Sequence, residues 1–266
     1  MNIEQLFSVK GKVALVTGGS RGIGKMIAEG LVAAGAKVYI SARKADACDA
    51  TAAELGENCI SLPCDISTVD GCKMLAGQIA ERESRLDILV NNAGAAWGAA
   101  FEDFPEIGWD KVMDLNVKSP FFLTQALHGL LKASASADTP AKVINIASVD
   151  GMRINPWETY SYQASKAALI QLTRRMAARL VNDDIYVTGI GPGAFPSDMN
   201  KAARDAEDLV SKAIPNRRIG NAEDISGAVL FLASRAGDYV IGTTIPVDGG
   251  IVNAQIPSGG TDPEGH

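Results

Sequence analysis

The sequence predicts a doubly wound α/β fold, in which a seven-stranded parallel sheet is flanked by helices on both faces. Short apolar runs alternate with helical patterns, and near-continuous apolar runs are typical of parallel strands because both faces of such strands are buried. The predicted strands are Val13–Val16, Lys37–Ile40, Cys59–Leu62, Asp87–Val90, Lys142–Ile146, Ile185–Ile190 and Thr244–Val247. Helical patterns between them run near 25–33, 106–132, 161–181 and 222–234.

Residues 1–256 are predicted to form one domain. The chain has 266 residues, 47% of them apolar, so it can bury a sizeable core, and it contains no internal repeat or long linker. Residues 257–266 are rich in glycine and lack large apolar side chains, which predicts a low-order tail. The segment near 193–215 interrupts the strand–helix rhythm, and we predict a substrate lid there.

The charge and the amino-terminal segment bear on partners and location. A net charge of −6 and an isoelectric point near 5.0 argue against nucleic acid or an anionic membrane as a partner, because both bind lysine- and arginine-rich surfaces. No apolar stretch is as long as a membrane-spanning helix, which needs about 18 residues. Met1–Lys10 lacks the features of a signal peptide. We therefore expect a cytoplasmic protein.

Cysteine spacing and histidine count exclude several chemistries. The cysteines are clustered at Cys48, Cys59, Cys64 and Cys72. Their spacing matches neither a Cys-x-x-Cys pair nor a zinc ribbon, so reduced structural thiols are expected. The sequence has two histidines, His128 and the terminal His266. A histidine-rich metal site cannot be assembled from them, a Ser-His-Asp hydrolase would depend on His128 alone, and no metal is expected.

A glycine cluster follows the first predicted strand. Thr17-Gly-Gly-Ser-Arg-Gly-Ile-Gly24 runs from that strand into an amphipathic helix. Glycines permit a tight turn and close backbone approach, while the helix N-terminus offers unpaired N–H groups to a pyrophosphate. Because a strand precedes the cluster and a helix follows it, the cluster predicts dinucleotide binding and a Rossmann-type fold rather than a plain turn.

The end of the second strand favours NADP(H) over NAD(H). An acidic residue at this place binds the ribose hydroxyls of NAD and repels the extra phosphate of NADP. Here the strand leads into Arg43 and Lys44, with no acid before Asp46. Arg43 and Arg21 offer guanidinium groups of the kind that clamp a 2′-phosphate. The alternative is that Arg43 and Lys44 are the solvated start of the next helix.

Two further segments come at the carboxyl ends of strands, where open α/β sheets bind their ligands. Asp65 follows the third strand and is interpreted as an adenine contact or as the N-cap of the next helix, two roles that can coexist. Asn91–Gly94 follows the fourth strand, and its small residues let a ligand lie close.

Tyr162 and Lys166 stand four residues apart in a predicted helix, which puts them on one face about 6 Å apart along the axis. An ammonium beside the phenol is expected to lower the pKa of Tyr162 and to make it a proton donor or acceptor. The structural alternative is a packed ring beneath a lysine stem.

Ser148 and Asn116 are two further candidates with open alternatives. Ser148 ends the fifth strand and either donates to a substrate oxygen or closes a turn. Asn116 lies in an otherwise apolar helical stretch and is either a functional amide or a helix kink with a backbone partner.

In combination these motifs resemble the short-chain dehydrogenase/reductase family from about Lys12 to Asn253. The matching motifs are, in chain order, Thr17–Gly24, Asn91–Gly94, Asn116, Ser148, Tyr162 with Lys166, Pro192-Gly193 and Val247–Gly250. The resemblance implies an enzyme that interconverts a ketone and a secondary alcohol with a nicotinamide cofactor.

The resemblance also implies a role for each member of the catalytic set. Tyr162 would be the general acid or base, and Ser148 would hold the substrate oxygen. Lys166 would lower the pKa of the phenol and bind the nicotinamide ribose, while Asn116 would hold a water in a proton relay. Tyr160 lacks a lysine four residues further on and is expected to line the pocket.

The cofactor-binding residues that follow from the motifs and the resemblance form a long set. They are Gly18, Ser20, Arg21, Gly22, Ile23, Gly24, Arg43, Asp65, Ile66, Asn92, Ala93, Gly94, Tyr162, Lys166, Pro192, Gly193, Phe195 and Ser197. Ser197 stands where the family usually carries threonine to hold the nicotinamide carboxamide, and it retains the hydroxyl.

The expected substrate is a 3-oxoacyl thioester. Phe195-Pro196, together with Gly94–Gly98, is similar to the 3-oxoacyl reductases associated with rhamnolipid synthesis. Trp97, Met152 and Trp157, with Phe195, suggest an apolar pocket wall, although each could equally be core. The alternatives are a sugar, polyol or steroid alcohol dehydrogenase of the same family and, from another class, a non-catalytic dinucleotide sensor.

Two expectations concern macromolecular partners. Acyl carrier protein is possible but disfavoured, because Asp183 and Asp184 end the helix of Tyr162, where an acidic carrier would meet acid. A coenzyme A thioester therefore stays open. The family resemblance implies a homo-oligomer, a tetramer.

Arg43→Asp is expected to shift the cofactor preference from NADPH toward NADH, because a carboxylate at this position repels the 2′-phosphate. The ratio of kcat/KM for the two cofactors measures the shift. A wild-type protein that already prefers NADH would contradict the interpretation of the second strand.

Overall fold

The strands follow from the apolar runs of the sequence. The computed structural model describes residues 1–197, 205 and 207–254. Within them lie β1 (Val13–Thr17), β2 (Lys37–Ser41), β3 (Cys59–Ser61), β4 (Ile88–Asn91), β5 (Ala141–Ile146), β6 (Ile185–Pro192) and β7 (Thr244–Val247). They form a parallel sheet in the order β3-β2-β1-β4-β5-β6-β7, which confirms the predicted seven-stranded fold.

Helices connect the strands and cover both faces of the sheet. Those in the described residues are α1 (Ile3–Leu6), α2 (Gly22–Ala33), α3 (Ala45–Leu55), α4 (Val69–Ala80), α5 (Glu106–Met113), α6 (Ser119–Ala126), α7 (His128–Ser134), α8 (Tyr160–Leu180), α9 (Glu207–Lys212) and α10 (Ala222–Ala233). None of these helices combines the length and apolar character needed to cross a membrane.

Two apolar layers hold the helices against the sheet. On one face, Ile27 of α2 and Val229 of α10 belong to the same buried cluster as Val16 of β1. On the other face, Leu75 of α4 and Met176 of α8 are buried in a cluster with neighbouring strands. Full burial of an aliphatic side chain of this size contributes about 1.5–3 kcal/mol, so these two layers fix where the strand ends lie.

The predicted helix near 106–132 is divided in the structure. A wider turn of π-helical form, Asp114–Lys118, separates α5 from α6, and α7 follows as a separate helix. Pro120 accounts for the interruption, because it has no N–H to close the α-helical bond to the carbonyl of Asn116. Such turns occur frequently at functional sites.

Strand order reverses between β1 and β4, because the chain moves outward from β1 to β3 and then returns. Open α/β sheets bind ligands in the crevice at the carboxyl ends of strands on either side of this point. Part of the predicted lid, residues 198–204 and 206, lies outside the described residues, as does the predicted tail at 257–266.

Candidate functional site

The glycine loop is tightly packed between β1 and α2. Gly18 and Gly22 have φ values of +67° and +53°, in the left-handed region that favours glycine. A Cβ atom at Gly18 would lie 2.9 Å from Nδ2 of Asn92, and one at Gly24 would contact the carbonyl oxygen of Gly18. Helix α2 begins at Gly22 with no side-chain cap from Arg21, so its first N–H groups face the loop. This cradle fits a phosphate-bearing cofactor.

Thr17 joins the glycine loop to the strand-four motif. Its Oγ1 accepts hydrogen bonds from the backbone N–H groups of Asn92 and Ala93, each at 3.0 Å. Nδ2 of Asn92 donates back to the carbonyl of Thr17 at 2.9 Å. The two motifs, 75 residues apart in the chain, are therefore one unit. Sequence reasoning left Thr17 out of the site, although its place at the end of β1 was a usable signal.

Arg43 lies in the short connection between β2 and α3, with its side chain exposed. Helix α3 begins at Ala45 with Lys44 as its N-cap, so Arg43 is outside the helix and the alternative interpretation applies to Lys44 alone. The glycine loop lies against α3, because Oγ1 of Thr51 donates to the carbonyl of Ser20 at 2.9 Å.

The N-cap alternative for Asp65 is wrong. The cap of α4 is Thr68, whose side chain accepts a hydrogen bond from the N–H of Gly71 at 3.1 Å. The Asp65 carboxylate instead accepts from the N–H of Ser67 at 3.0 Å, and the residue is exposed at the end of β3. The side chain of Ile66 is buried in the core, so only its backbone can contact a cofactor.

Tyr162 and Lys166 lie in the first two turns of α8, as predicted, with the ammonium nitrogen 5.7 Å from the centre of the phenol ring. Nζ of Lys166 donates a hydrogen bond to the carbonyl of Ile146, at the end of β5, at 2.9 Å. This bond ties α8 to the edge of the sheet where the strands end.

The expectation that the pKa of Tyr162 falls is wrong for the free protein. Burial raises the pKa of Tyr162 to about 12, against which a hydrogen bond with the Ser148 side chain acts, and the Asp150 carboxylate raises it further. Burial likewise lowers the pKa of Lys166 to about 8. Loss of water disfavours the charged form of both groups, and this outweighs the Ser148 hydrogen bond at Tyr162 and the Asp150 charge at Lys166.

Ser148 follows β5 and is 6% exposed. Its Oγ accepts a hydrogen bond from the N–H of Asp150 at 3.1 Å and hydrogen-bonds with the Tyr162 side chain. Ser148 therefore closes a turn, as one interpretation expected, and its hydroxyl faces the phenol, while donation to a substrate oxygen stays a prediction.

The side chain of Asn116 is fully engaged as a donor. Its Oδ1 accepts from the N–H of Ala95 at 2.8 Å, and its Nδ2 donates to the carbonyl of Ala95 and to Oγ of Ser165, each at 2.9 Å. Asn116 thus fixes the segment after β4 against α8. The implied use of this amide to hold a water meets an obstacle, because at most one lone pair of Oδ1 is left.

A buried polar ladder positions α8 and was missed from the sequence. Nδ2 of Asn91 donates to Oδ1 of Asn145 at 2.9 Å, and Nδ2 of Asn145 donates to Oγ1 of Thr173 at 2.9 Å. The ladder links β4, β5 and α8 through groups that are all buried. Two asparagines at the ends of otherwise apolar strands were the available signal, because unpaired buried amides are costly.

The remaining predicted cofactor residues surround the same crevice. A Cβ atom at Gly94 would lie 3.2 Å from Oδ1 of Asn116 and 3.7 Å from Nζ of Lys166.

Pro192 ends β6, and the N–H of Gly193 donates to the carbonyl of Val247 at 3.0 Å. A Cβ atom at Gly22 would be 3.2 Å from Cβ of Ser197, so the start of the predicted lid meets the glycine loop. Ile23 packs against the core.

The four residues of the expected apolar wall differ in their burial and contacts. Phe195 is 2% exposed and its ring packs over Gly220, so it is core and can offer a cofactor only its backbone. The Met152 methyl lies near Gly191, and the Trp97 ring covers Gly108. Trp157 is 61% exposed.

The side chain of Tyr160 makes its contacts with residues outside the catalytic set. Its ring packs edge-on against Phe101 and Phe104, with ring centres 5.6 and 5.7 Å away. Its hydroxyl donates to Glu158 at 3.0 Å. These contacts place it in an aromatic cluster beside the start of α8.

The cysteines are free and buried, which confirms the expectation of reduced structural thiols. Burial raises the pKa of each of the four thiols, that of Cys59 to about 11. Thiols held neutral in this way are poor nucleophiles.

The acidic end of α8 does not bear on substrate entry as expected from the sequence. Asp183 accepts hydrogen bonds from Lys132 at 2.7 Å and Arg179 at 2.8 Å and contacts His128 at 3.1 Å, and these groups hold the pKa of its carboxyl well below its usual range. At 1.5 Å per helical residue, this end is roughly 30 Å from Tyr162. The argument against an acidic carrier therefore fails on distance, and the Asp183 carboxylate is already paired with cations.

The fold and the site together define a dinucleotide-dependent oxidoreductase. The family model described as enoyl-(acyl carrier protein) reductase matches residues 18–252. The chain belongs to this family, the short-chain dehydrogenases/reductases.

Several relatives are similar over nearly the whole chain. The rhamnolipids biosynthesis 3-oxoacyl-[acyl-carrier-protein] reductase of Pseudomonas aeruginosa is 50% identical over 249 residues, which cover 92% of this chain and 97% of the relative. The 2-dehydro-3-deoxy-D-gluconate 5-dehydrogenase of Escherichia coli is 37% identical, with 93% and 98% covered.

Solved structures agree with this assignment. The Pseudomonas aeruginosa RhlG/NADP active-site complex superimposes with a TM-score of 0.90 at 49% identity, covering 95% of this chain and 100% of that chain. A gluconate 5-dehydrogenase from Burkholderia cenocepacia, in complex with NADP and tartrate, gives 0.87 at 32% identity, with 96% and 100% covered.

The pH dependence of the free energy of unfolding, compared between the wild type and Lys166→Met, tests whether the Lys166 ammonium is buried. Because the pKa of Lys166 is about 8 in the folded protein against an ordinary 10.5, the unfolded chain binds more protons between these values. The stability of the wild type should therefore rise with pH relative to the variant, by about 2 kcal/mol between about pH 8 and 9.5. Urea unfolding at both pH values measures this change.

The control for this experiment is Lys73→Met, which changes an exposed lysine of α4. Its stability difference from the wild type should stay flat over the same range. An equally flat difference for Lys166→Met would mean that the ammonium is hydrated in the folded protein.

Proposed function

We propose that this enzyme is an NADP(H)-dependent carbonyl reductase whose substrate is a 3-oxoacyl thioester. The observation that carries the proposal is the arrangement of Ser148, Tyr162 and Lys166 at the carboxyl end of β5, beside the glycine cradle. Similarity to the Pseudomonas reductase, 50% identical over 249 residues, supports the substrate class.

In this proposal Tyr162 is the proton donor. A pKa of about 12 keeps the phenol protonated at neutral pH, which suits reduction of a carbonyl. Ser148 donates to the carbonyl oxygen of the substrate from the other side. When bound, the cofactor supplies the hydride to the carbonyl carbon, and the phenol proton moves to the carbonyl oxygen as its O–H bond breaks.

Lys166 then restores the proton. After transfer, Tyr162 is a phenolate with a strongly basic oxygen, and the neighbouring ammonium, with a pKa of about 8, is the more acidic group. Lys166 is therefore the assigned source of the proton that returns to Tyr162. The proton is replaced from water, and we assign the holding of that water to the main-chain carbonyl of Asn116, to which Pro120 cannot donate the α-helical bond.

The positions of several side chains and two similar solved structures support NADP(H) as the cofactor. Arg43 is exposed at the end of β2 outside α3, and Arg21 precedes the first turn of α2, where guanidinium groups suit a 2′-phosphate. Asp65 is exposed in the segment after β3, where we assign it to the adenine base. The Pseudomonas and Burkholderia neighbours are complexes with NADP.

The carrier of the acyl group is open between acyl carrier protein and coenzyme A. The acid at Asp183 is balanced by Lys132 and Arg179 and lies far from Tyr162, so it no longer disfavours a protein carrier. The second candidate is a sugar-acid dehydrogenase, which the 37% identity to the gluconate-type enzyme favours. A panel of acyl thioesters and sugar acids, assayed with both cofactors, separates these candidates.

Tyr162→Phe should lower turnover by about 10² or more, because positioned proton transfer typically supplies 10²–10⁴ of rate. NADPH binding should be nearly unchanged, since the ring remains. Steady-state loss of NADPH absorbance with a 3-oxoacyl thioester measures turnover, and fluorescence of bound NADPH measures binding.

The matched control is Tyr160→Phe, which removes a hydroxyl from the same helix outside the catalytic set. Near-normal turnover of Tyr162→Phe would refute the donor assignment. Absence of turnover by the wild type on every ketone of the panel, with NADPH bound, would favour the dinucleotide sensor.

We also propose a cytoplasmic homo-oligomer, a tetramer. Large apolar side chains on α5 and α6 are exposed in the single chain, with Ile107 at 72%, Trp109 at 42% and Phe121 at 39%. Exposed apolar groups of this kind mark protein interfaces when they form a patch.

Sedimentation velocity is expected to give the mass of four chains for the wild type. Phe121→Asp should reduce the mass, since a carboxylate at an apolar interface is costly to desolvate. Phe121→Leu is the matched control and should keep the assembly. A monomeric wild type at micromolar concentration would contradict the tetramer.

A further inference from the structure

Asp150 occupies a fixed position beside the catalytic groups. It lies in the short 3₁₀ turn Val149–Gly151 between β5 and α8, and its N–H donates to Oγ of Ser148 at 3.1 Å. The next residue, Gly151, packs directly on α8, since a Cβ atom there would lie 2.6 Å from the carbonyl carbon of Lys166. The turn is therefore held on both sides and cannot shift without moving the site.

The Asp150 carboxylate is the acidic group that acts on both catalytic side chains. Beside the larger effect of burial, its charge raises the pKa of both Tyr162 and Lys166, in agreement with the place of its turn against Ser148 and α8. The residue is half-exposed and has no assigned part in the proton transfer. A substrate carbonyl placed between Ser148 and Tyr162 would lie near this negative charge.

Other charges lie in the same region. Burial raises the pKa of the Tyr160 phenol at the start of α8, and Glu158 and Glu102 raise it further. Arg153 is exposed three residues after Asp150, and the buried Lys166 ammonium donates to the carbonyl of Ile146. Asp150, two residues after Ser148, is the charged residue nearest to Ser148 along the chain.

We infer that Asp150 is a specificity-determining residue that disfavours substrates carrying a carboxylate near the reacting carbonyl. The inference rests on the proposed function and narrows it: the site takes uncharged 3-oxo esters and thioesters and rejects free 3-oxo acids and other acids whose carboxylate lies equally near the ketone. At a separation of a few ångströms in a half-exposed site, repulsion between two carboxylates lowers affinity roughly tenfold to a hundredfold.

The test compares a neutral ester with its free acid. Ethyl acetoacetate and acetoacetate present the same ketone, and only the second carries a charge. The ratio of kcat/KM for ester over acid is measured with NADPH for the wild type, Asp150→Asn and Asp110→Asn. The last variant is the control, because it removes an exposed acid of α5.

For Asp150→Asn we expect this ratio to drop roughly tenfold to a hundredfold, because KM for the acid becomes lower. For Asp110→Asn we expect no change. A ratio that stays within threefold of the wild type would overturn the inference. So would a wild type that prefers the acid, since Lys166 or another cation would then outweigh Asp150.

A binding measurement keeps this test separate from the proposed reaction. Acetoacetate and NADP⁺ are both oxidised and do not react, so calorimetry with the NADP⁺-loaded protein gives a dissociation constant without turnover. Tighter acetoacetate binding by Asp150→Asn supports the specificity role even if neither ketone is reduced, in which case the proposed function alone fails. Equal binding by both proteins, or binding by neither, overturns the specificity role.

Discussion

Burial of the Lys166 ammonium is the constraint on which the candidate site depends. A lysine that is 5% exposed is costly to keep charged, and it is compensated by a hydrogen bond to the carbonyl of Ile146 and by the charge of Asp150. The hydrogen bond requires α8 to lie at a fixed position along β5. The same burial lowers the pKa of Lys166 and raises that of Tyr162, so it sets the proton affinities of both groups.

Other buried hydrogen bonds hold α8 at this position along the sheet. The ladder Asn91–Asn145–Thr173 pins the helix to two strands, and Asn116 fixes the chain after β4 against Ser165. Each of these polar groups is buried, and a buried polar group that loses its partner costs about 1–3 kcal/mol. Slippage of the helix by one position would break several such bonds at once, so the arrangement of the site is strongly specified.

Close backbone approach is the second requirement, and glycine meets it. Gly94 lies beside the amide of Asn116 and the ammonium of Lys166, while Gly151 lies against the backbone of α8. A methyl group at Gly151 would force the turn away from α8, and one at Gly94 would crowd the amide of Asn116. The glycine loop uses the same principle for a different purpose, because there the absence of Cβ atoms lets the backbone N–H groups reach a phosphate.

Apolar periodicity and motif spacing are local properties, and the sequence by itself therefore determined the seven strands, the doubly wound class and the strand ends at which the site residues lie. Tertiary structure decided the rest. The pKa of Tyr162 rises instead of falling because desolvation depends on the surrounding atoms, and Phe195 is core because it meets Gly220. Asp183 finds its cations on α7 and α8, 51 residues apart in the case of Lys132. Burial and long-range charge pairing are properties of the packed chain, and no spacing within the sequence encodes them.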